Sequence, residues 1–177
     1  MEHAFTPSIH IETKGKAKSR QYGNALLSRY PTIQKKDYRF HFLIGIVEAR
    51  SMLEATIQIE QKRILLFVTH LSLNPFLHHK QMKKILNEIS KSPIPKLVMG
   101  DWNMKPHSKG WNEITNNLHD AWEIAGKGDG NTYPSIRPKR RLDYIFTSSS
   151  ISVFAAEIIH IEPGASDHLP LRIVFSV

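Results

Sequence analysis

Apolar residues in the first seventy positions alternate with polar ones, which is typical of β-strands. Alternating, β-branched and aromatic positions predict strands over residues 4–12, 23–28, 38–49, 51–59 and 63–69. Pro31 is expected to end the second of these strands. The polar residues around Glu60, Gln61 and Lys62 predict a hairpin turn between the last two. The basic segment 13–21 is expected to be a loop.

The apolar period changes to that of a helix after residue 70. Asn74 followed by Pro75 has the form of an N-cap and a first helical position. Apolar residues at the spacing i, i+3, i+4, i+7 then form one helical face: Met82, Ile85, Leu86 and Ile89. This pattern predicts a helix over 76–90, which Pro93 and Pro95 follow.

The remaining pattern returns to strands. The apolar run 96–100 predicts a buried strand, residues 111–125 have a weak helical pattern, and three more strands are predicted over 142–146, 151–161 and 171–177. Many strands and few helices favour an α+β or layered α/β fold in which sheet dominates. We expect a single domain over 1–177.

Composition and charge narrow the classes of partner. The chain has 177 residues, 41% of them hydrophobic, with 24 Lys and Arg against 16 Asp and Glu for a formal charge of +8. That excess favours an anionic partner, namely nucleic acid, a phosphorylated small molecule or an anionic membrane surface. Because the chain has no cysteine, disulfides, thiolate zinc sites and cysteine nucleophiles are excluded.

No apolar run reaches the roughly 18 residues that a membrane-spanning helix needs. The first sixteen residues also lack the apolar core of a secretory signal. We therefore expect a cytoplasmic protein.

Polar residues that can bind metal or move protons stand at the ends of the predicted strands, where open sheets place their sites. They form four groups: His70, Asp101 with Asn103, Asp143, and the adjacent Asp167 and His168.

Each group has a structural interpretation beside a chemical one. Asp101 can bind a cation or accept a proton and Asn103 can donate to a phosphoryl oxygen, but the pair also suits an Asx-turn. Asp143 must pair on entering an apolar strand, either with a neighbouring arginine or with a histidine that it orients. Taken together, the groups favour metal-assisted phosphoester hydrolysis with a hard cation such as Mg²⁺.

The motifs that carry these residues resemble the endonuclease/exonuclease/phosphatase superfamily, the metal-dependent hydrolases similar to exonuclease III and deoxyribonuclease I. The matching segments are YGNALLSRYP (22–31), EARSML (48–53), VTHLSL (68–73), KLVMGDWN (96–103), TYPSIRPKRRLDYIF (132–146) and SDHLPL (166–171). The resemblance implies a layered α/β/β/α fold, a two-sheet β-sandwich flanked by helices with its site at one end.

The resemblance also implies a role for each site residue. Asp101 would be the base, or a metal-linked carboxylate, that positions the attacking water, and Asn103 would orient that water or hold the phosphoryl oxygen. His168, oriented by Asp143, would donate to the phosphoryl oxygen. Asp167 would bind Mg²⁺ or Mn²⁺. His70 would be a second donor to the phosphate or a proton donor to the leaving group.

One departure from the family pattern leads to an alternative. Family domains begin with a strand bearing an Asn, and a later Gln-Glu pair supplies the principal metal ligand. Neither is found in this sequence, so we expect an N-terminally incomplete domain, from which an upstream signal could also be missing. The alternative function is a truncated, non-catalytic or weakly active domain that binds anions or a partner protein.

The basic run 137–141 stands immediately before Asp143. Lys139, Arg140 and Arg141 are therefore expected to bind substrate phosphate, with a solvated turn as the alternative. Phosphate contacts by Lys and Arg give affinity without sequence selectivity. They suit DNA, RNA, inositol phosphates and phospholipid headgroups equally, and nothing in the sequence indicates an oligomeric state.

Overall fold

The computed structural model describes residues 1–11, 20–40 and 49–177. The chain divides into two compact units, Met1–Ile94 and Pro95–Val177. Each unit is strand-rich with few helices, which confirms a mixed α/β chain in which strands dominate. Within the described ranges, no helix is long and apolar enough to cross a membrane. The single domain over 1–177 stays a prediction.

The first unit is built from antiparallel strands and one helix. Its strands are β1 (Glu2–Ile11), β2 (Arg20–Ser28), β3 (Thr32–Phe40), β4 (Arg50–Ile59) and β5 (Lys62–His70). β1 pairs with β2, and β4 lies between β3 and β5. The predicted hairpin is confirmed, because Ile59 pairs with Lys62 across a two-residue turn. Of the strand predicted over 38–49 and the loop over 13–21, residues 41–48 and 13–19 lie outside the described residues, and Arg20 and Gln21 of the predicted loop belong to β2.

Helix α1 (Pro75–Ile89) begins where the sequence predicts. The Asn74 side chain accepts hydrogen bonds from the backbone N–H groups of Phe76 and Leu77, so it satisfies two donors that the first turn leaves unpaired. The buried face comprises Leu77, Gln81, Met82, Ile85 and Ile89. Three of the four residues of the predicted face, Met82, Ile85 and Ile89, are buried, whereas Leu86 is half-buried.

The second unit comprises five strands and two short helices. They are β6 (Lys96–Asp101), α2 (Lys109–Thr115), β7 (His119–Asp120), α3 (Ala121–Ala125), β8 (Asp143–Thr147), β9 (Ser152–Ile158) and β10 (Leu171–Ser176). β8 pairs antiparallel with both β6 and β7, and β9 pairs with β10.

The weak helical pattern over 111–125 corresponds to two separate helices in the structure. α2 ends at Thr115, a turn follows, and Asp120 starts a new helix by accepting a hydrogen bond from the Trp122 backbone N–H at 2.9 Å. Asp120 also accepts from the Trp111 indole at 2.8 Å. This carboxylate is 3% exposed, so the two bonds satisfy a buried group that a continuous helix would leave without them.

Aromatic side chains fix the relation between β6 and β8. The Trp102 ring meets Phe146 edge-on at 5.0 Å, and Tyr144 stacks on Phe146 at 5.4 Å. The Tyr144 hydroxyl lies 3.0 Å from the carbonyl oxygens of both Met104 and Arg141. These contacts tie the loop after β6 to the loop before β8, and the candidate site lies at that end of the strand pair.

Candidate active site

Two carboxylates stand opposite each other where β6 ends and β8 begins. Asp101 and Asp143 are Cα partners in the antiparallel register. Their side chains are 15% and 22% exposed, so both are sheltered without being sealed from solvent. The sequence placed them 42 positions apart, and the strand pairing makes them neighbours.

His168 lies between these two carboxylates. Its Nδ1 is 2.7 Å from Asp143 Oδ2, and its Nε2 is 3.9 Å from Asp101 Oδ2. A carboxylate only accepts, so Nδ1 carries a proton and donates to Asp143. The predicted pairing of Asp143 with a histidine is therefore present. Because 3.9 Å exceeds hydrogen-bond length, Nε2 is left to face a further oxygen.

Charge around the ring favours its protonated form. Burial by itself would lower the pKa of His168. The hydrogen bond to Asp143 and the negative charges of Asp143, Asp101 and Asp167 outweigh that effect and raise the pKa above its ordinary value. His168 is thus suited to donate a hydrogen bond as an imidazolium near neutral pH.

Backbone contacts hold the loop that carries His168. Its N–H donates to Ser166 Oγ at 3.2 Å, and the next N–H, that of Leu169, donates to the Thr132 carbonyl at 2.8 Å. The Tyr133 ring packs against the imidazole at 4.9 Å. The sequence alone indicates no role for Tyr133 or Ser166. Their only signal was their position within the TYPS and SDHLPL segments.

Asn103 forms the turn that was its structural alternative. Its N–H donates to Asp101 Oδ1 at 2.9 Å, and its φ is 44°, a left-handed conformation that asparagine tolerates. The Asx-turn engages Oδ1 of Asp101, while Oδ2 is the oxygen that faces His168. The turn therefore fixes the orientation of the Asp101 carboxylate.

The two other predicted site residues, Asp167 and His70, each have contacts of their own. Asp167 is exposed, its Oδ1 accepts from Ser166 Oγ at 3.5 Å, and its backbone carbonyl accepts from the Ser135 N–H at 2.8 Å. His70 ends β5 in the first unit, where its Nδ1 is 3.3 Å from the Tyr22 hydroxyl. Metal binding by Asp167 and a catalytic role for His70 stay predictions.

The basic run separates into residues with different environments. Arg141 is 4% exposed, and its guanidinium lies 2.6 Å from Glu123 Oε1 and 3.4 Å from Asp120 Oδ2. A buried guanidinium paired in this way is not available to substrate, so the placement argues against the phosphate contact expected of Arg141. Lys139 and Arg140 are exposed, and phosphate binding by them stays a prediction.

The described residues do not fit a metal ion on their own. Among residues 1–11, 20–40 and 49–177, no group of three or more His, Asp or Glu side chains is placed to hold one. Asp101 and Asp143 are hard oxygen donors of the kind that Mg²⁺ prefers, yet both face His168. The Mg²⁺ or Mn²⁺ expected from the resemblance therefore stays a prediction.

A cavity of about 360 Å³ opens beside this cluster, with Asp143, His168 and Ser166 in its wall. A larger cavity of about 730 Å³ lies between α3 and β9, lined by Trp122, Phe154 and His160. The larger cavity includes none of the predicted site residues. The chemistry therefore identifies the smaller one as the candidate site.

Comparison with protein families gives one match. The model of the family described as Endonuclease/Exonuclease/phosphatase family matches residues 2–168. Among curated proteins, none matches this sequence.

Solved structures share the fold across nearly the whole chain. A family protein from Leptotrichia buccalis is 25% identical with a TM-score of 0.78, covering 99% of this chain and 71% of that one. One from Beutenbergia cavernae is 21% identical with a TM-score of 0.82, covering 98% and 53%. A mannosyl-6-phosphatase from Bacteroides thetaiotaomicron is 14% identical with a TM-score of 0.76, covering 99% and 77%.

Proposed function

From the premise that this chain belongs to the endonuclease/exonuclease/phosphatase family, we propose that it is a phosphoester hydrolase that acts on phosphodiesters. Members of this family are phosphatases and nucleases and are typically metal-dependent. The proposed catalytic residues are Asp101, Asn103, Asp143 and His168. The single observation that carries the proposal is the placement of His168 between two carboxylates.

The two ring nitrogens of His168 have different roles in the proposed chemistry. Asp143 holds the proton on Nδ1, which leaves Nε2–H pointing away from it toward Asp101. A phosphoryl oxygen at Nε2 would receive a hydrogen bond that strengthens as negative charge develops in the transition state. His168 therefore acts as the electrostatic donor and Asp143 as the residue that positions it.

Asp101 is the proposed group that orients the attacking water. Its Oδ1 accepts from the Asn103 N–H and its Oδ2 faces His168, so Oδ2 is the oxygen proposed to accept a proton from a water on that side. The water oxygen bonds to phosphorus, the bond to the leaving oxygen breaks, and the departing alkoxide takes up a proton. His70 is our candidate for that last proton, on the resemblance alone.

Membership of the family also supports a metal cofactor and a particular arrangement of the sheets. We propose Mg²⁺ or Mn²⁺ as the cofactor because the family is typically metal-dependent. We also propose the layered two-sheet sandwich flanked by helices, because solved structures with the fold cover at least 98% of this chain.

Hydrolysis of bis(p-nitrophenyl) phosphate with added Mg²⁺ or Mn²⁺ tests the proposal. We expect His168→Ala to lower kcat by about 100-fold or more, by analogy with the loss of an oxyanion donor. Asp101→Asn should reduce kcat further, because an amide cannot accept the proton of the water. His119→Ala removes an exposed histidine outside the cluster and is the matched control.

Full activity in both site variants would overturn the assignment of the site. A wild-type protein that binds the phosphodiester but leaves it intact at every metal concentration would instead favour the alternative, a domain that binds anions without hydrolysing them.

A further inference from the structure

We propose that a basic cleft formed by Lys105, His107, Lys139 and Arg140 binds a second phosphate group of the substrate. The inference rests on the proposed hydrolase function and narrows its substrate class to phosphoesters that carry another phosphate near the scissile one. This cleft is distinct from the cavity beside His168, since the two have no lining residue in common.

Three loops of the second unit enclose the cleft, which has a volume of about 540 Å³. The loop after β6 contributes Lys105, Pro106 and His107, the loop after α3 contributes Gly128, Asp129 and Asn131, and the basic run contributes Lys139, Arg140 and Arg141. A volume of this size accommodates a phosphate group and the sugar or polyol that bears it.

Two of the loops that line the cleft contain residues with positive φ, a backbone conformation that most residues avoid. His107 has a φ of 60° and Gly128 a φ of 73°, both in the left-handed region. Gly130 is left-handed as well, at 66°, and a Cβ added there would lie 2.5 Å from the Trp122 ring. These turns fold two loops back toward the basic run, so the walls are fixed by the chain itself.

Three cationic side chains that line the cleft make no ion pair with other described residues. Lys105, Lys139 and Arg140 are exposed, and within the described part of the chain their side chains make no hydrogen bond or ion pair. Arg141 is compensated by Asp120 and Glu123. Asp129 is the remaining acid among the lining residues, so positive charge is in excess.

Short connections join the cleft to the catalytic cluster. Lys105 is two residues after Asn103, and Tyr144 ties the Met104 carbonyl to that of Arg141. Arg140 forms a β-bridge with Tyr133, whose ring contacts His168. The loops that line the cleft are therefore joined directly to the residues that hold Asp101 and His168.

The proposed function places the reacting phosphoryl group at His168, and none of the cleft cations lines the cavity beside that residue. Lys and Arg that converge on a cleft without acidic partners attract a further dianion or phosphodiester. The shared chemistry is a phosphate attached close to the scissile ester. Its source is either a small bisphosphorylated molecule or the neighbouring phosphodiester of a nucleic-acid strand.

A pair of chromogenic substrates isolates the contribution of the second phosphate. They are the p-nitrophenyl ester of thymidine 5′-phosphate, with and without a 3′-phosphate, assayed with wild type and with the double variant Lys105→Gln, Arg140→Gln. The quantity compared is the ratio of kcat/KM between the two substrates. Lys109→Gln is the control, since it removes a nearby exposed cation that does not line the cleft.

We expect wild type and Lys109→Gln to prefer the 3′-phosphorylated substrate by roughly tenfold, and the double variant to lose that preference. Raising the salt concentration should weaken the preference as well. Equal kcat/KM for both substrates in wild type, or an unaltered ratio in the double variant, would overturn the inference. Failure to cleave either substrate would count against the hydrolase function itself.

Two further substrates distinguish the sources of the second phosphate. A short oligothymidylate offers neighbouring phosphodiesters, and inositol 1,4-bisphosphate offers a second monoester. The quantity compared is kcat/KM for each substrate in wild type and in the double variant. A loss of kcat/KM confined to the oligothymidylate assigns the cleft to a nucleic-acid backbone. The same loss confined to the inositol bisphosphate assigns it to a small molecule.

Discussion

At the scale of single residues, the ion pair between His168 and Asp143 links protonation to folding. The folded-state pKa of His168 is raised above its ordinary value, so the folded protein holds this proton more tightly than the unfolded chain does. The stability from this pair is fully present below about pH 6.5, the ordinary pKa of histidine, and is lost as pH rises through the folded pKa.

We predict that Asp143→Asn lowers the pKa of His168, because an amide removes both the negative charge and the strong acceptor at Nδ1. The measurement is the pH titration of the His168 ring by NMR in wild type and variant. The variant should also lose less stability than wild type between pH 6 and pH 8. An unchanged His168 titration in a folded variant would show that the 2.7 Å contact does not control this proton.

At the same scale, Arg141 shows how neighbours in sequence acquire different roles. Arg140 is exposed beside the cleft and Arg141 is buried against Asp120 and Glu123. Burial raises the pKa of Asp120, while its hydrogen bond from Trp111 and the charge of Arg141 act in the opposite direction. Arg141 therefore stabilises the loop that presents Arg140.

At the scale of elements, the start of α1 is the clearest agreement between sequence and structure. The first helical turn leaves backbone N–H groups without partners, and Asn74 accepts from two of them, at 3.1 and 3.2 Å. Pro75 fits the next position because it has no N–H to satisfy. Local chemistry therefore sets this helix end.

We predict that Asn74→Ala lowers the free energy of unfolding by about 1 kcal/mol, the usual effect of removing an N-cap acceptor. Urea denaturation followed by circular dichroism measures it. Asn74→Asp keeps the acceptor and places a negative charge at the helix N-terminus, so it should retain wild-type stability. Equal stability of the Ala and Asp variants would mean that packing of α1, and not its cap, determines where the helix begins.

At the scale of the whole molecule, the question is whether the activity requires a metal ion. The family is typically metal-dependent, while the described side chains form no three-residue cluster able to hold an ion. The carboxylates of Asp101 and Asp143 would supply oxygen ligands, and the oxygens of a bound phosphoester and of water would complete the site, as is common where Mg²⁺ has few protein ligands.

We predict that phosphodiesterase activity disappears in excess EDTA and returns on addition of Mg²⁺ or Mn²⁺. Initial rates measured against metal concentration, at fixed substrate and ionic strength, decide the point. The thermal melting curve in EDTA is the control that separates loss of a catalytic ion from loss of the fold. Activity that persists in chelator would contradict the prediction of a metal cofactor.

Most strands and the long helix were predictable from the sequence because their signals are local. Strand alternation and the helical period depend on residues a few positions apart, and α1 and the β4–β5 hairpin followed that pattern. The segment 111–125 did not. Asp120, which caps α3, also accepts from the Trp111 indole. The spacing of apolar residues carries no information about that contact, so it could not predict where the helix is interrupted.

The family and the residues capable of chemistry were also determined by the sequence, since short motifs carry them. Only the tertiary structure decided how these residues pair. The register of β6 and β8 brings Asp101 beside Asp143, and the loop before β10 places His168 between them. Packing also made Arg141 a buried ion pair and left Arg140 facing a cleft. Burial and charge pairing depend on residues distant in sequence, so the same residue types in the same order do not specify them.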